Sequence, residues 1–394
     1  MAQTDVFFVG TARTAIGSFG GSLKDTPLTE LATAAVQGAL AHAGIDGQRV
    51  GHVVMGNVIP TEPRDAYLSR VAAIGAEIPM EVPAFNVNRL CGSGLQAIVS
   101  AAQGIMLGDF EVAVAGGAES MSRGPYILPA MRWGSRLGDG QAVDYMNGIL
   151  HDPWKRTHMG VTAENIAKRY NITREIQDEM ALQSQQRAAR AIAEGRFKSQ
   201  IVPVQVKSKR TAVLFDTDEN VRADIDIEKL AKMQPVFQPG GSVTAGNASS
   251  LNDGAAALVL AQENVVKRQN LQPLARLVSY AHAGVDPDYM GIGPVPATRM
   301  ALKRAGLRIQ DIDVIESNEA FAAQACAVAR ELEFDPAKVN TNGSGISLGH
   351  PVGATGAIIT VKAIHELHRT GGRYALVTMC IGGGQGIAAI LERV

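Results

Sequence analysis

Apolar residues in LTELATAAVQGALAHAG, from Leu28, follow helical spacing, and the chain then changes period. HVVMG, from His52, is a short apolar run of strand type. A glycine-rich turn at CGSG leads into the apolar helix LQAIVSAAQ, and EVAVAG, from Glu111, is a second strand. The same order returns as PATRMALKRAG, DVIES, GATGAIITVKAIH and RYALVTM. The two copies align without a gap at an offset of 262, which lays Ala39 on Ala301, Cys91 on Gly353 and Glu111 on Arg373. A half-chain repeat predicts two copies of one supersecondary unit packed against each other. Strands that are continuously apolar predict sheets covered on both faces. The expected fold class is α/β, a duplicated, layered α/β/α/β/α body.

Residues 121–245 break the repeat with SRGPYILPAMRWGSRLGDG and a long polar helical stretch, TAENIAKRYNITREIQDEMALQSQQRAARAIAEG. This predicts an inserted domain, with an N-terminal half at 1–120, rejoined by 246–272, and a C-terminal half at 273–394. Asn171 or Thr173 can cap the helix that begins near Arg174. The Glu, Gln and Arg spacing of that helix is that of a solvated face.

At 394 residues, 46% hydrophobic and 19% charged, the chain has the composition of a compact globule of two or three domains. Lys and Arg (37) balance Asp and Glu (38), so there is no field to gather nucleic acid or anionic membrane. An anionic ligand then needs a local basic site. No apolar run approaches the ~20 residues of a membrane helix and no signal-peptide pattern opens the chain, so a cytoplasmic location is expected. The 42 glycines suggest tight loops around a ligand, and three cysteines are too few and too odd for a disulfide framework.

Thiol chemistry is therefore open. Cys91 stands in VNRLCGSGLQAIV, at a turn before a helix whose unpaired N–H groups and dipole favour a thiolate; the plain reading is a small buried hydrophobe. His350, in NGSGISLGHPVGATG, sits in the matching turn of the second copy, and a paired histidine activates a cysteine. Cys380 ends the last apolar strand of that copy before GGGQG, whose backbone N–H groups are free to face a ligand. Asn318, in SNEAFAAQ, can donate to a developing oxyanion or cap a helix. Cys326 lies on the apolar face of a helix and is read as core. GGGQG precedes a strand rather than a helix, which argues against dinucleotide binding, and HELH at His365–His368 is too sparse for a metal site.

NRLCGSG, NEAFAAQ, LGHPVGATG and CIGGGQG resemble, in order, the four catalytic blocks of the thiolase family. GTARTAIGSFGG, GGAESMS and VTAGNASSLNDGAAA extend the likeness over essentially the whole chain, which is most like the bacterial broad-specificity β-ketothiolases of the biosynthetic, tetrameric branch. The resemblance implies reversible condensation of two acyl-CoA molecules, with Cys91 acylated, His350 activating it and Cys380 handling the α-proton of the second acyl-CoA. It implies one oxyanion hole from His350 and an Asn318-held water, and another from the N–H groups of Cys91 and Gly382. By the same resemblance His158, Met159, Arg222, Phe237, Ser249, Met290 and Phe321 contact coenzyme A, although each could be plain core or solvated surface. No cofactor beyond coenzyme A thioesters as substrates is implied, and a homotetramer is. Alternatives from the same reading are a degradative thiolase for longer chains, a decarboxylating ketoacyl-synthase type, against which the second cysteine argues, and a lipid-carrier relative that has lost the site. Gly343-Ser344-Gly345 replaces the more usual Gly-Gly-Ala of the family, and the smaller last residue is expected to widen the acyl pocket.

Overall fold

The computed structural model describes residues 4–208 and 211–394. The first copy runs through β1 (Val6–Arg13), α1 (Leu28–Ala43), β2 (His52–Gly56), α2 (Leu68–Gly75), β3 (Ala84–Val87), α3 (Ser93–Leu107) and β4 (Val112–Ser120). The intervening stretch contributes α4 (Met159–Arg169) and α5 (Arg174–Ala193), the latter capped by the Thr173 side chain, which accepts from the Ile176 N–H. The chain returns through β5 (Asn252–Gln262). The second copy is β6 (Ala275–Gly284), α6 (Pro294–Ala305), β7 (Val314–Ser317), α7 (Ala322–Glu331), α8 (Thr355–Thr370), β8 (Tyr374–Ile381) and β9 (Gln385–Arg393). At the offset of 262, β2 and β7, α3 and α8, and β4 and β8 begin at matching residues.

The strands follow the order β3-β2-β4-β5-β1 and then β6-β9-β8-β7. Among the described residues the two halves join edge to edge through two residue pairs, Phe7 with Arg276 and Phe8 with Ala275. Helices α3 and α8 pack on each other and on strands of both halves, so they form the middle layer, while α1 and α2 cover one outer face and α6 the other. Every residue of β4 is buried, as a strand covered on both faces must be. The window Leu90–Leu107 has the length and composition of a short membrane span, which the reading of apolar runs did not single out; it is α3, and most of it is buried in this middle layer.

Gly94 and Gly356 set how close the middle helices come. A Cβ on Gly94 would stand 2.7 Å from the Ala357 nitrogen, and one on Gly356 would stand 2.4 Å from the Leu95 nitrogen. The two glycines hold matching places in the two copies, so each helix offers bare backbone to the other. The intervening stretch is pinned to β1 by a buried bidentate pair from Arg13 to Asp218, at 2.7 and 2.9 Å.

Candidate active site

Between β3 and α3 the chain turns tightly through Asn88, Arg89, Leu90 and Cys91. Leu90 is held at φ 47°, a left-handed conformation that a bulky side chain adopts only under constraint. The constraint is polar. Asn88 Oδ1 accepts from the Leu90 N–H at 2.9 Å, while Ser93 Oγ accepts from the Arg89 N–H at 2.8 Å and donates to the Leu90 carbonyl at 2.6 Å. Cys91 follows and lines a cavity of about 510 Å³.

His350 reaches the same cavity from the turn before α8. Its backbone N–H donates to Asn252 Oδ1 at 2.8 Å, its ring Nδ1 lies 2.6 Å from Thr355 Oγ, and Asn318 Nδ2 lies 3.4 Å from its Nε2. Burial lowers the His350 pKa to about 4, so the imidazole is neutral at rest. Asn318 does not itself line the cavity; its Nδ2 lies 3.5 and 3.4 Å from the two ring nitrogens of His350.

Cys380, at the end of β8, and Gly382 complete the wall around Cys91. Burial pushes the Cys91 thiol up to about 11, against the pull of the Gly382 and Cys91 N–H groups that face it, and the charge of Glu119 adds to the rise. The helix terminus had suggested a ready thiolate. Desolvation wins instead, and the resting group is a thiol that needs a base. Burial and the neighbouring Cys91 push Cys380 still further up.

His158, Met159, Arg222, Phe237, Ser249, Met290 and Phe321 all line the same cavity. The His158 ring stacks on Phe237 at 4.5 Å, and Phe237 meets Phe321 edge-on at 6.0 Å. The Gly160 N–H donates to His158 Nδ1 at 3.0 Å, which leaves Nε2 as the protonated nitrogen of the neutral ring. Burial first, and then His151, lower the His158 pKa to about 4.

Local sequence did not single out several residues that the fold brings here. Met121, Met146, Leu150 and Val352 line the cavity beside Cys91. Met121, within GGAESMS, and Val352, within LGHPVGATG, lay in quoted motifs without being singled out. Buried Glu119 accepts from Asn57 Nδ2 and the N–H groups of Val58, Ile59 and Gly353, at 2.8 to 3.0 Å, and so ties the two halves together under the site. Burial nevertheless pushes its carboxyl up to about 8.

Position bears on three other expectations. Gly345 does not line the acyl cavity. Its α-carbon backs onto the strand-end loop, where a Cβ would stand 2.7 Å from the Glu319 carbonyl oxygen and 2.8 Å from Asn318 Oδ1, so it cannot widen the pocket. Cys326 lines a separate cavity of about 110 Å³ beside Glu319 and Arg187. In HELH, His365 bonds Thr11 and Ser199 while His368 bonds the Leu274 carbonyl.

Residues 6–264 match the family described as thiolase, N-terminal domain, and residues 271–393 the one described as thiolase, C-terminal domain. The chain is 65% identical over 391 residues to the beta-ketothiolase BktB of Cupriavidus necator and 50% identical over 391 residues to an acetyl-CoA acetyltransferase of Pseudomonas aeruginosa, with 99% of each chain covered in both cases. It superposes on the crystal structure of the Bacillus anthracis acetyl-CoA acetyltransferase with a TM-score of 0.98 at 49% identity, covering 100% of both chains. On human mitochondrial 3-ketoacyl-CoA thiolase in complex with CoA the TM-score is 0.97 at 45% identity, covering 100% of this chain and 98% of that one. With both domains matched in order along nearly its whole length, the chain belongs to the thiolase family.

Proposed function

We propose that the chain is a thiolase-type acyltransferase that joins two acyl-CoA molecules reversibly into a 3-ketoacyl-CoA and free CoA, through an acyl group carried on Cys91. The observation that carries this reading is the meeting of Cys91, His350, Cys380 and Gly382 on one cavity wall, opposite the stacked His158 and Phe237.

In the first half-reaction His350 Nε2 takes the Cys91 proton, the sulfur attacks the thioester carbonyl carbon, and CoA leaves with that proton. The Cys91 and Gly382 N–H groups face the oxyanion of this step. A donor aimed at such a charge is typically worth roughly 10²- to 10³-fold in rate. In the second half-reaction Cys380 passes its own proton to His350 and, as a thiolate, removes the α-proton of a second acyl-CoA. The resulting carbanion attacks the acyl carbon and releases the Cys91 sulfur, which takes the proton back from His350. A thiol pushed up by burial is rarely ionised, but its thiolate is the stronger base once formed, which suits a weak carbon acid. The enolate oxygen would face His350 and a water held by Asn318.

Coenzyme A would lie along the stretch spanning residues 121–245, with His158, Met159, Phe237 and Arg222 on one side and Ser249, Met290 and Phe321 on the other. No resident cofactor is needed. Both acetoacetyl-CoA and 3-ketovaleryl-CoA are proposed products. Support comes from Met121 and Met146 beside Cys91, since unbranched thioether chains adapt to an added methylene. A homotetramer is the proposed assembly, supported by the exposed Met131, Trp133 and Leu137 of one loop.

Mass spectrometry after mixing with acetyl-CoA tests the reading. An acetyl adduct on Cys91, absent from Cys91→Ala, is expected. An adduct on Cys326, or one that persists in the variant, would overturn it.

A further inference from the structure

We infer that Thr355 is a positioning residue that fixes the tautomer of His350, so that Nδ1 carries the proton and Nε2 keeps its lone pair. The argument is a count of protons. Thr355 Oγ lies 2.9 Å from the Pro351 carbonyl oxygen and 2.6 Å from His350 Nδ1. The hydroxyl is directed at the Pro351 carbonyl, as a first-turn hydroxyl commonly is, an oxygen that the Ala354 and Thr355 N–H groups also reach at 2.8 and 2.9 Å. On the other side of the ring the Asn318 Nδ2 donor, 3.4 Å from Nε2, calls for a bare Nε2. The hydroxyl oxygen is then left to accept, and the proton between it and the ring belongs to His350 Nδ1. A neutral imidazole has one N–H, so Nε2 is bare. Threonine suits this place because it begins α8, and its hydroxyl bonds back to a carbonyl of the preceding turn.

The duplication supports the same reading independently. Ser93 holds the place of Thr355 at the offset of 262 and uses its hydroxyl in the same sense with partners shifted along the turn: it donates to the Leu90 carbonyl, three residues back rather than four, and accepts from the Arg89 N–H. In the first copy the accepted proton comes from the backbone. In the second it comes from the imidazole. One hydroxyl position, inherited twice, shapes a turn in one half and orients a base in the other.

This inference rests on the proposed role of His350, and the test separates the two. Acetylation of Cys91 is followed by rapid quench and mass spectrometry in the native enzyme, Thr355→Ser and Thr355→Val. Without the hydroxyl, Nδ1–H loses its acceptor and the proton is free to move to Nε2. Thr355→Val should then acetylate roughly 10- to 100-fold more slowly, the effect of one buried unmade bond, with kcat reduced and KM little changed, while Thr355→Ser keeps most of the rate. Equal losses in both variants, or a Thr355→Val enzyme at the native rate, would overturn the inference while leaving the functional reading intact. A native enzyme that never acetylates Cys91 would overturn the reading itself. Should Thr355→Val fail to fold, ¹⁵N-histidine spectra of the native protein decide the matter: His350 protonated at Nδ1 and bare at Nε2 is expected, and the reverse would refute it.

Discussion

The turn before α3 carries Cys91 and the turn before α8 carries His350, at neighbouring places in two copies of one unit. Backbone design is shared between them: a glycine at the close approach, Gly94 or Gly356, and a hydroxyl at the first helical residue, Ser93 or Thr355. The differences lie in what the turn's polar groups face. At Cys91 the backbone N–H is turned toward the thiol. At Gly353, the matching residue, the N–H is spent on the buried Glu119 carboxyl group at 2.8 Å. One copy thus keeps a donor for an incoming charge, and the other uses its donor to lock the halves together. Duplication supplied the scaffold, and reassignment of a few hydrogen bonds supplied the division of labour.

The largest expected effect comes from removing the base. His350→Ala should slow acetylation of Cys91 by roughly 10²- to 10⁴-fold, the usual contribution of a general base, with little change in melting temperature. Native-rate acetylation in that variant would erase the functional difference between the two turns.

A smaller effect is expected from Gly345→Ala. The added methyl meets Asn318 Oδ1 and the Glu319 carbonyl rather than the acyl chain. Displacing Asn318 should lower kcat for four- and five-carbon substrates alike, by about 10²-fold if its oxyanion contribution is lost. A selective loss for 3-ketovaleryl-CoA, measured as kcat/KM, would instead restore the idea that Gly345 shapes the pocket.

Ser93→Ala sharpens the contrast from the other side. It removes two of the three side-chain bonds that hold Leu90 in its left-handed conformation, leaving that from Asn88, so it should cost stability, about 1–3 kcal/mol in chemical denaturation, before it alters the protonation of any base. A Ser93→Ala enzyme of native stability but altered histidine spectra would reverse the roles assigned to the two hydroxyls.

Much of this was legible in the sequence because duplication writes itself as a constant offset. The starts of β2 and β7, α3 and α8, and β4 and β8 follow from aligning Ala39 on Ala301. The quoted motifs also carried Cys91, Ser249, Phe321, His350, Cys380 and Gly382, while His158, Met159, Arg222, Phe237 and Met290 came from the family resemblance alone; all of them line the cavity. What they could not carry was long-range. Nothing local tells that Glu119 ends beneath Gly353, that Asn252 receives the His350 N–H, or that Arg13 meets Asp218. Gly345 misled because its neighbours in sequence lie near the acyl site while its own α-carbon faces away, toward Asn318. Cys91 misled in a second way: a helix N-terminus favours a thiolate, but the extent of burial, which decides the outcome, has no sequence signal.

The central claim is that two thiols, the half-buried Cys91 and the buried Cys380, brought to one cavity from the two copies, do different work. Solvent deuterium exchange into acetyl-CoA by Cys380→Ser, with the acetyl state of Cys91 read by mass spectrometry in the same sample, tests it most directly. The account predicts a Cys91 that still becomes acetylated and an α-proton that no longer exchanges. Undiminished exchange in the variant, or loss of acetylation at Cys91, would contradict it.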